Sequence, residues 1–96
     1  MRMTMSEDRA EAIALAALGW IAAEPERAGA FLGASGAAPD ELRQRAGDPM
    51  FLGFVLDFLL QDDGGVQDFA AQMPCHPEEV LRARAALPGG DLPNWT

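Results

Sequence analysis

The chain contains no lysine. All 7 basic residues are arginine, set against 15 acidic ones, and the net charge is −8. A surface this acidic repels phosphate backbones and anionic headgroups, which argues against direct nucleic-acid or membrane contact. Next to abundant Ala, Gly and Pro, the missing lysine reads as the mark of a GC-rich genome. Cysteine occurs once, so no internal disulfide forms, and a reducing cytosol suits the chain. Long apolar runs are also missing. Ala12–Ala23 is too short to span a bilayer, and Met50–Leu60 is short and carries Asp57. Arg2 is followed by Glu7, Asp8 and Glu11, an acidic lead unlike a secretory signal. The expectation is a soluble, cytoplasmic protein. Val and Thr are scarce and no stretch alternates apolar with polar, which argues against strands. There is no P-loop, no dinucleotide glycine fingerprint and no Ser-His-Asp set. No cofactor and no catalytic residue is assigned.

What is present is an internal duplication. Leu18–Leu42 lies over Leu56–Val80 without a gap. Leu18 matches Leu56, Trp20 matches Phe58, Ile21 matches Leu59, and Phe31 matches Phe69, at a constant offset of 69 − 31 = 38 residues. Pro39-Asp40-Glu41-Leu42 matches Pro77-Glu78-Glu79-Val80. A fixed offset of this size implies one supersecondary unit used twice.

Helix starts are clearly punctuated. Pro25, Pro39, Pro49 and Pro77 stand where a first turn tolerates proline. Asp48 is a good N-cap for the helix after it, and Thr4 with Glu7 competes with Ser6 to cap the first. Gly33 or Gly36, Gly47, Gly64-Gly65 and Pro88-Gly89-Gly90 read as stops. The expectation is an all-α, compact six-helix bundle with helices near 6–23, 25–33, 39–46, 49–62, 65–73 and 77–87. One domain of 96 residues holds repeat one at about 10–46, repeat two at about 48–87 and a tail at 88–96. The first and fourth helices are apolar around most of their circumference, so they should pack together with shorter helices wrapped around them.

AIALAALGWIAAEPER, then FLGASGAAPDELRQRAGDPMFLGFVLDFLLQDD, an FAA segment, a proline-initiated helix and RARAALPG follow in order. This pattern resembles the small bacterial family called domain of unknown function 3572, over about Ala10 to Gly89. LGW, LDFLL and RARAALPG are its most distinctive parts. The resemblance implies a small all-α bacterial protein. It transfers no activity and no functional residue.

Candidate sites are few. Cys75-His76 cannot close a zinc site, because no other Cys or His exists. Ala37-Ala38 fills the same turn in the first repeat, so the pair reads as a turn residue and an N-cap substitute. Asp62-Asp63-Gly64-Gly65 with Asp68 lacks calcium-loop spacing. No metal is expected. Asp57 lies in the most apolar helix, on its least apolar stripe with Gly53, Phe54 and Gln61. It reads as an edge residue accepting from an arginine or a helix N-terminus. Arg43, Arg45, Arg82 and Arg84 concentrate the positive charge near the ends of the third and sixth helices. Glu41–Arg45 and Glu78–Arg82 are spaced as i,i+4 pairs. If the repeats bring those ends together, the arginines form a site for an anion or an acidic partner. Trp95, with Leu92 in the tail, either docks into a groove or frays.

Three function classes follow. A protein–protein interaction module (adaptor, regulatory subunit or homo-oligomer) is favoured, because catalytic equipment is missing. A small-ligand binder or minor enzyme would use a pocket between the repeats, containing Asp57 or the arginines. A nucleic-acid-linked role would be indirect, since Asp40, Glu41, Glu78 and Glu79 would face phosphates at any recognition helix.

Overall fold

The computed structural model describes residues 5–73 and 75–88. The chain is all-α, with six α-helices, one 3-10 turn and no strand among the described residues. Helix α1 spans Glu7–Ala22, α2 Pro25–Ser35, α3 Leu42–Arg45, α4 Pro49–Leu60, α5 Asp63–Gln72 and α6 Pro77–Ala86. The 3-10 turn, Pro39–Glu41, runs directly into α3.

Each start has its chemical reason. Ser6 caps α1, its Oγ accepting from the Arg9 backbone N–H at 3.1 Å. Such a cap stabilises a helix by about 1 kcal/mol. The competing cap, Thr4, lies outside the described residues. Asp48 accepts from the Met50 N–H at 3.0 Å and starts α4 as expected. Gly36, at φ 74, ends α2, and its N–H donates to the Leu32 carbonyl at 2.9 Å. A left-handed residue suits glycine there, which decides between the two expected stops.

Two expectations fail locally. The segment expected as one helix near 39–46 is a 3-10 turn followed by a single α-turn. Gly64-Gly65 does not stop a helix. Both residues lie in the first turn of α5, because Asp62 takes an extended backbone (φ −126, ψ 99) and breaks the chain two residues earlier.

The core is one cluster centred on α1, α4 and α6, each packed against the other two, and it takes in Phe31 of α2 and Val66 and Phe69 of α5. Helices α1 and α4 pack together as expected. Helix α6 is a third core element rather than a wrapper. Helix α1 buries Ala10, Ala14 and Ala17 beside Ile13, Leu18 and Ile21. The small residues admit close approach by α4, which contributes Phe51, Leu52, Val55, Leu56 and Leu59. Large side chains set against small ones fill a core without voids. Ile13, Ala14, Ala17, Leu18 and Ile21 each have a buried counterpart 38 residues on. Helix α2 rests on α1, and α5 on α4 and α6.

Aromatic rings join these outer helices to the core. Phe31 of α2 meets Phe58 of α4 edge-on at 5.2 Å, and Trp20 of α1 meets Phe69 of α5 edge-on at 6.1 Å. Edge-to-face pairs at these distances are favourable beyond simple burial.

Candidate functional site

The residues that the sequence singles out are mostly taken by one another. Arg84 holds Asp57 with a fork: Nε donates to Oδ1 at 2.6 Å and Nη2 to Oδ2 at 3.0 Å. Its Nη1 donates to the Pro88 carbonyl at 3.1 Å. The guanidinium lies across Gly53, where a Cβ would stand 2.7 Å from Nη1. Asp57 is therefore the arginine-paired edge residue that its helical stripe suggests. Arg82 pairs with Glu78 at 3.6 Å on the surface. Arg45 lies over the Phe51 ring at 5.5 Å and not on Glu41, whose carboxylate accepts the Ala38 N–H at 2.8 Å. Arg43 is exposed on α3. Arg45, Arg82 and Arg84 thus go to separate partners, and Arg84's fork has no donor pair left for an anion. Trp95 and Leu92 lie outside the described residues.

His76 caps α6 as an N-cap substitute. Its Nδ1 accepts the Glu78 N–H at 3.4 Å, while Glu79 accepts the His76 N–H at 3.2 Å. Glu79 also takes Arg9 of α1 at 2.7 Å. The Arg9 guanidinium first, then the His76 N–H, hold the Glu79 carboxyl below its ordinary range. Burial, and then the Glu79 charge, push the Cys75 thiol up. A raised thiol is a poor nucleophile and a poor soft ligand. Among the described residues, no three His, Cys, Asp or Glu side chains gather as metal ligands.

A concavity lies elsewhere. A cleft of about 750 Å³ opens between the starts of α2 and α5. Neither Asp57 nor Arg43, Arg45, Arg82 or Arg84 lines it, contrary to the expectation for an inter-repeat pocket. Its apolar wall is Trp20, Phe58 and Leu59. Its charged wall is Glu24 and Glu26 from one side and Asp62 and Asp68 from the other, with Arg27 as the single base. Smaller clefts lie beside Arg45 and Phe51, and beside Leu60, Val66 and Leu81.

Helix starts set this charge. Carboxylates gather at N-termini because the free N–H groups and the helix dipole favour them. Glu24 caps α2, accepting the Arg27 N–H at 3.1 Å. Asp62, in the same place before α5, makes no side-chain capping bond. Its carboxylate folds over the first turn, and a Cβ on Gly65 would stand 2.9 Å from its Oδ2. Glycine there makes room for the acid. None of these carboxylates enters an ion pair among the described residues.

Arg27 closes one end of the apolar wall. Its guanidinium lies 3.7 Å from the Trp20 ring centroid, and its Nη2 donates to the Trp20 carbonyl at 2.9 Å. A cation over an indole face at this distance is strongly attractive. Trp20 Nε1 and Arg27 Nε are buried without a hydrogen-bond partner. Leaving such donors unmade costs about 1–3 kcal/mol each.

A family model described as "Protein of unknown function (DUF3572)" matches residues 7–90. The chain belongs to this family. Searches of curated proteins and of solved structures find no match. The family description assigns no activity, so the site rests on its own chemistry. No Ser, Thr, Cys, His or Lys lines the large cleft. It can attract a cation and shelter an apolar stem, and the nucleophiles it offers are carboxylates. No helix among the described residues is long and apolar enough to cross a membrane.

Arg27, Glu24 and Glu26 belong to no candidate site in the sequence, and Asp68 enters there only as a calcium-loop candidate. A signal for them was nonetheless present. Trp20 and Phe58, Glu24 and Asp62, and Ala30 and Asp68 are pairs at the 38-residue offset, and all line the cleft.

Proposed function

We propose that this family member is a cytoplasmic protein–protein interaction module, and that the cleft between α2 and α5 is its receptor site. One observation carries the reading: four carboxylates, none in an ion pair among the described residues, share a cleft with an aromatic wall. Unneutralised charge beside half-buried aromatic surface is what a partner's complementary patch neutralises and covers. The proposal includes an approximate two-fold relation between two helical units. The reciprocal pairs Trp20–Phe69 and Phe31–Phe58 support it, because each residue meets the counterpart of the other's partner. Such reciprocity is the signature of a self-complementary contact.

The test is an affinity pull-down of the tagged chain from its own cells at moderate salt, read by mass spectrometry. One stoichiometric partner, or the chain itself as a defined oligomer, is the expected result. Recovery of the monomer alone would overturn the reading. It would favour the second one, a small-ligand site, for which a cavity of about 750 Å³ is large enough. A metabolite thermal-shift screen then decides, since a ligand raises Tm only if it prefers the folded chain.

A further inference from the structure

We propose that the cleft between α2 and α5 recognises a basic stretch of a partner polypeptide, with one arginine or lysine side chain entering against Trp20 and Phe58. The proposal rests on the interaction reading above and names the partner's chemistry.

Charge decides the sign of the ligand. Glu24, Glu26, Asp62 and Asp68 outweigh the single Arg27, so an anion meets net repulsion and a cation net attraction. A metal ion does not fit, because no three potential ligands converge among the described residues. An organic cation on an apolar stem does fit. Lys and Arg lay their methylenes along apolar surface while the charged head reaches polar groups, and this cleft offers both. The protein already contains one instance of the contact. Arg27 stacks on Trp20 at 3.7 Å and donates to a backbone carbonyl, so this wall accepts a guanidinium.

Two features favour a polypeptide over a free polyamine. First, Trp20 and Arg27 also line a second, smaller cleft of about 230 Å³ with Ala16, Phe69 and Met73. That surface suits an apolar side chain next to the basic one, which a free polyamine lacks. Second, a peptide offers carbonyl acceptors to the donors of the cleft lining, such as the exposed Gln61 amide, and a polyamine has no acceptor to offer.

The experiment uses the full chain, titrated with acetyl-Leu-Arg-Ala-Arg-amide, with the same peptide carrying Gln for Arg, and with spermidine. Heteronuclear NMR follows the Trp20 indole and the Gly64 and Gly65 amides. The arginine peptide should shift these signals saturably. The Gln peptide should not, and spermidine should bind at least about tenfold more weakly. The triple variant Glu26→Gln, Asp62→Asn, Asp68→Asn should weaken the arginine peptide by about tenfold or more. These three residues are exposed, and Asn remains a good N-cap, so the fold should persist. Circular dichroism verifies that. Asp40→Asn, exposed on the 3-10 turn, should leave binding unchanged. Equal binding of the Gln peptide, spermidine as tight as the peptide, or a triple variant that binds normally would each overturn the proposal. Failure of the parent reading looks different. A stoichiometric pull-down partner whose recovery ignores the triple variant keeps the interaction module and removes the basic-segment site. A chain recovered as a lone monomer removes the module.

Discussion

Leu42 and Val80 match at the 38-residue offset, yet only Val80 is buried in the core, whereas Leu42 packs half-buried against its edge. Val80, Ala83 and Leu87 form a buried stripe that seats α6 against α1 and α4. The residues 38 positions earlier are Leu42, Arg45 and Pro49. An arginine interrupts that stripe, and the proline already begins α4. Helix α3 therefore stops after 4 residues, whereas α6 continues for 10. A duplicated pattern keeps its burial where the apolar positions are kept. It loses it where one of them turns polar, because tertiary burial rather than propensity sustains a short helix.

The largest effects should fall on the reciprocal aromatic pairs, where the halves are most alike. Phe31→Ala should cost about 3–5 kcal/mol, as for other buried phenylalanines. Phe69→Ala, equally buried at 1% exposure, should lie at the low end, near ~3 kcal/mol. Phe31 meets Phe51, Phe54 and Phe58, whereas Phe69 pairs with Trp20. Each ring pair adds about 0.5–1.5 kcal/mol beyond burial. Urea denaturation of both variants measures the difference. Equal losses would mean that the extra rings around Phe31 contribute nothing.

The third segments should differ most in proportion. Val80→Ala empties fully buried space in the core and should cost about 1.5–3 kcal/mol. Leu42→Ala removes a larger but half-buried side chain and should cost about 1 kcal/mol or less. The same unfolding assay checks both. A Leu42 loss matching that of Val80 would restore α3 to the core and erase the contrast.

This contrast also marks how far the sequence could be read. The six helices, the capping roles of Asp48 and His76, and the packing of α1 on α4 follow from proline placement and apolar spacing, which are local properties. The partner of Asp57 was legible in kind, since a carboxylate on the thin stripe of an apolar helix needs an arginine or a helix N-terminus. Its identity was not, because Arg84 reaches it only once α6 lies in the core. The cleft was harder still. Its acids look like ordinary N-terminal carboxylates when each helix is read alone, and only the apposition of α2 and α5 turns them into a wall. Arg27 escaped notice because no spacing rule links residue 27 to Trp20. The turn after α1, where Glu24 caps α2, brings them together.

Two mid-helix glycines sharpen the comparison with opposite signs. A Cβ at Gly19 of α1 meets nothing within 4 Å. Gly19→Ala should therefore stabilise by about 0.5–1 kcal/mol, because alanine loses less backbone freedom in a helix. At Gly53 of α4 a Cβ would collide with the Arg84 fork and come within 3.3 Å of the Pro88 carbonyl. Gly53→Ala should destabilise by about 1–3 kcal/mol, since it displaces Arg84 from Asp57. Stabilisation by both variants would show that Arg84 moves aside freely.

The smallest effect concerns another equivalent pair, the capping glutamates. Glu41 accepts one backbone N–H, from Ala38, whereas Glu79 accepts the His76 N–H and the Arg9 guanidinium of α1. Arg9 and His76 lower the Glu79 pKa from 4.5. A carboxyl lowered on folding contributes stability that is fully present above its unfolded value and is lost as pH falls through the lower folded value. Wild type and Glu79→Gln should thus differ most at neutral pH, and the gap should close below about pH 4.5 as Glu79 takes up a proton. Solvent and salt screen an exposed pair, so the gap should be small and should narrow further in high salt. Denaturation midpoints measured across the acid range give the result. A gap that stays constant with pH would mean that Glu79 acts by shape and capping alone. It would then be no more than the second-half copy of Glu41, and the link from α1 to the start of α6 would carry no charge-dependent stability.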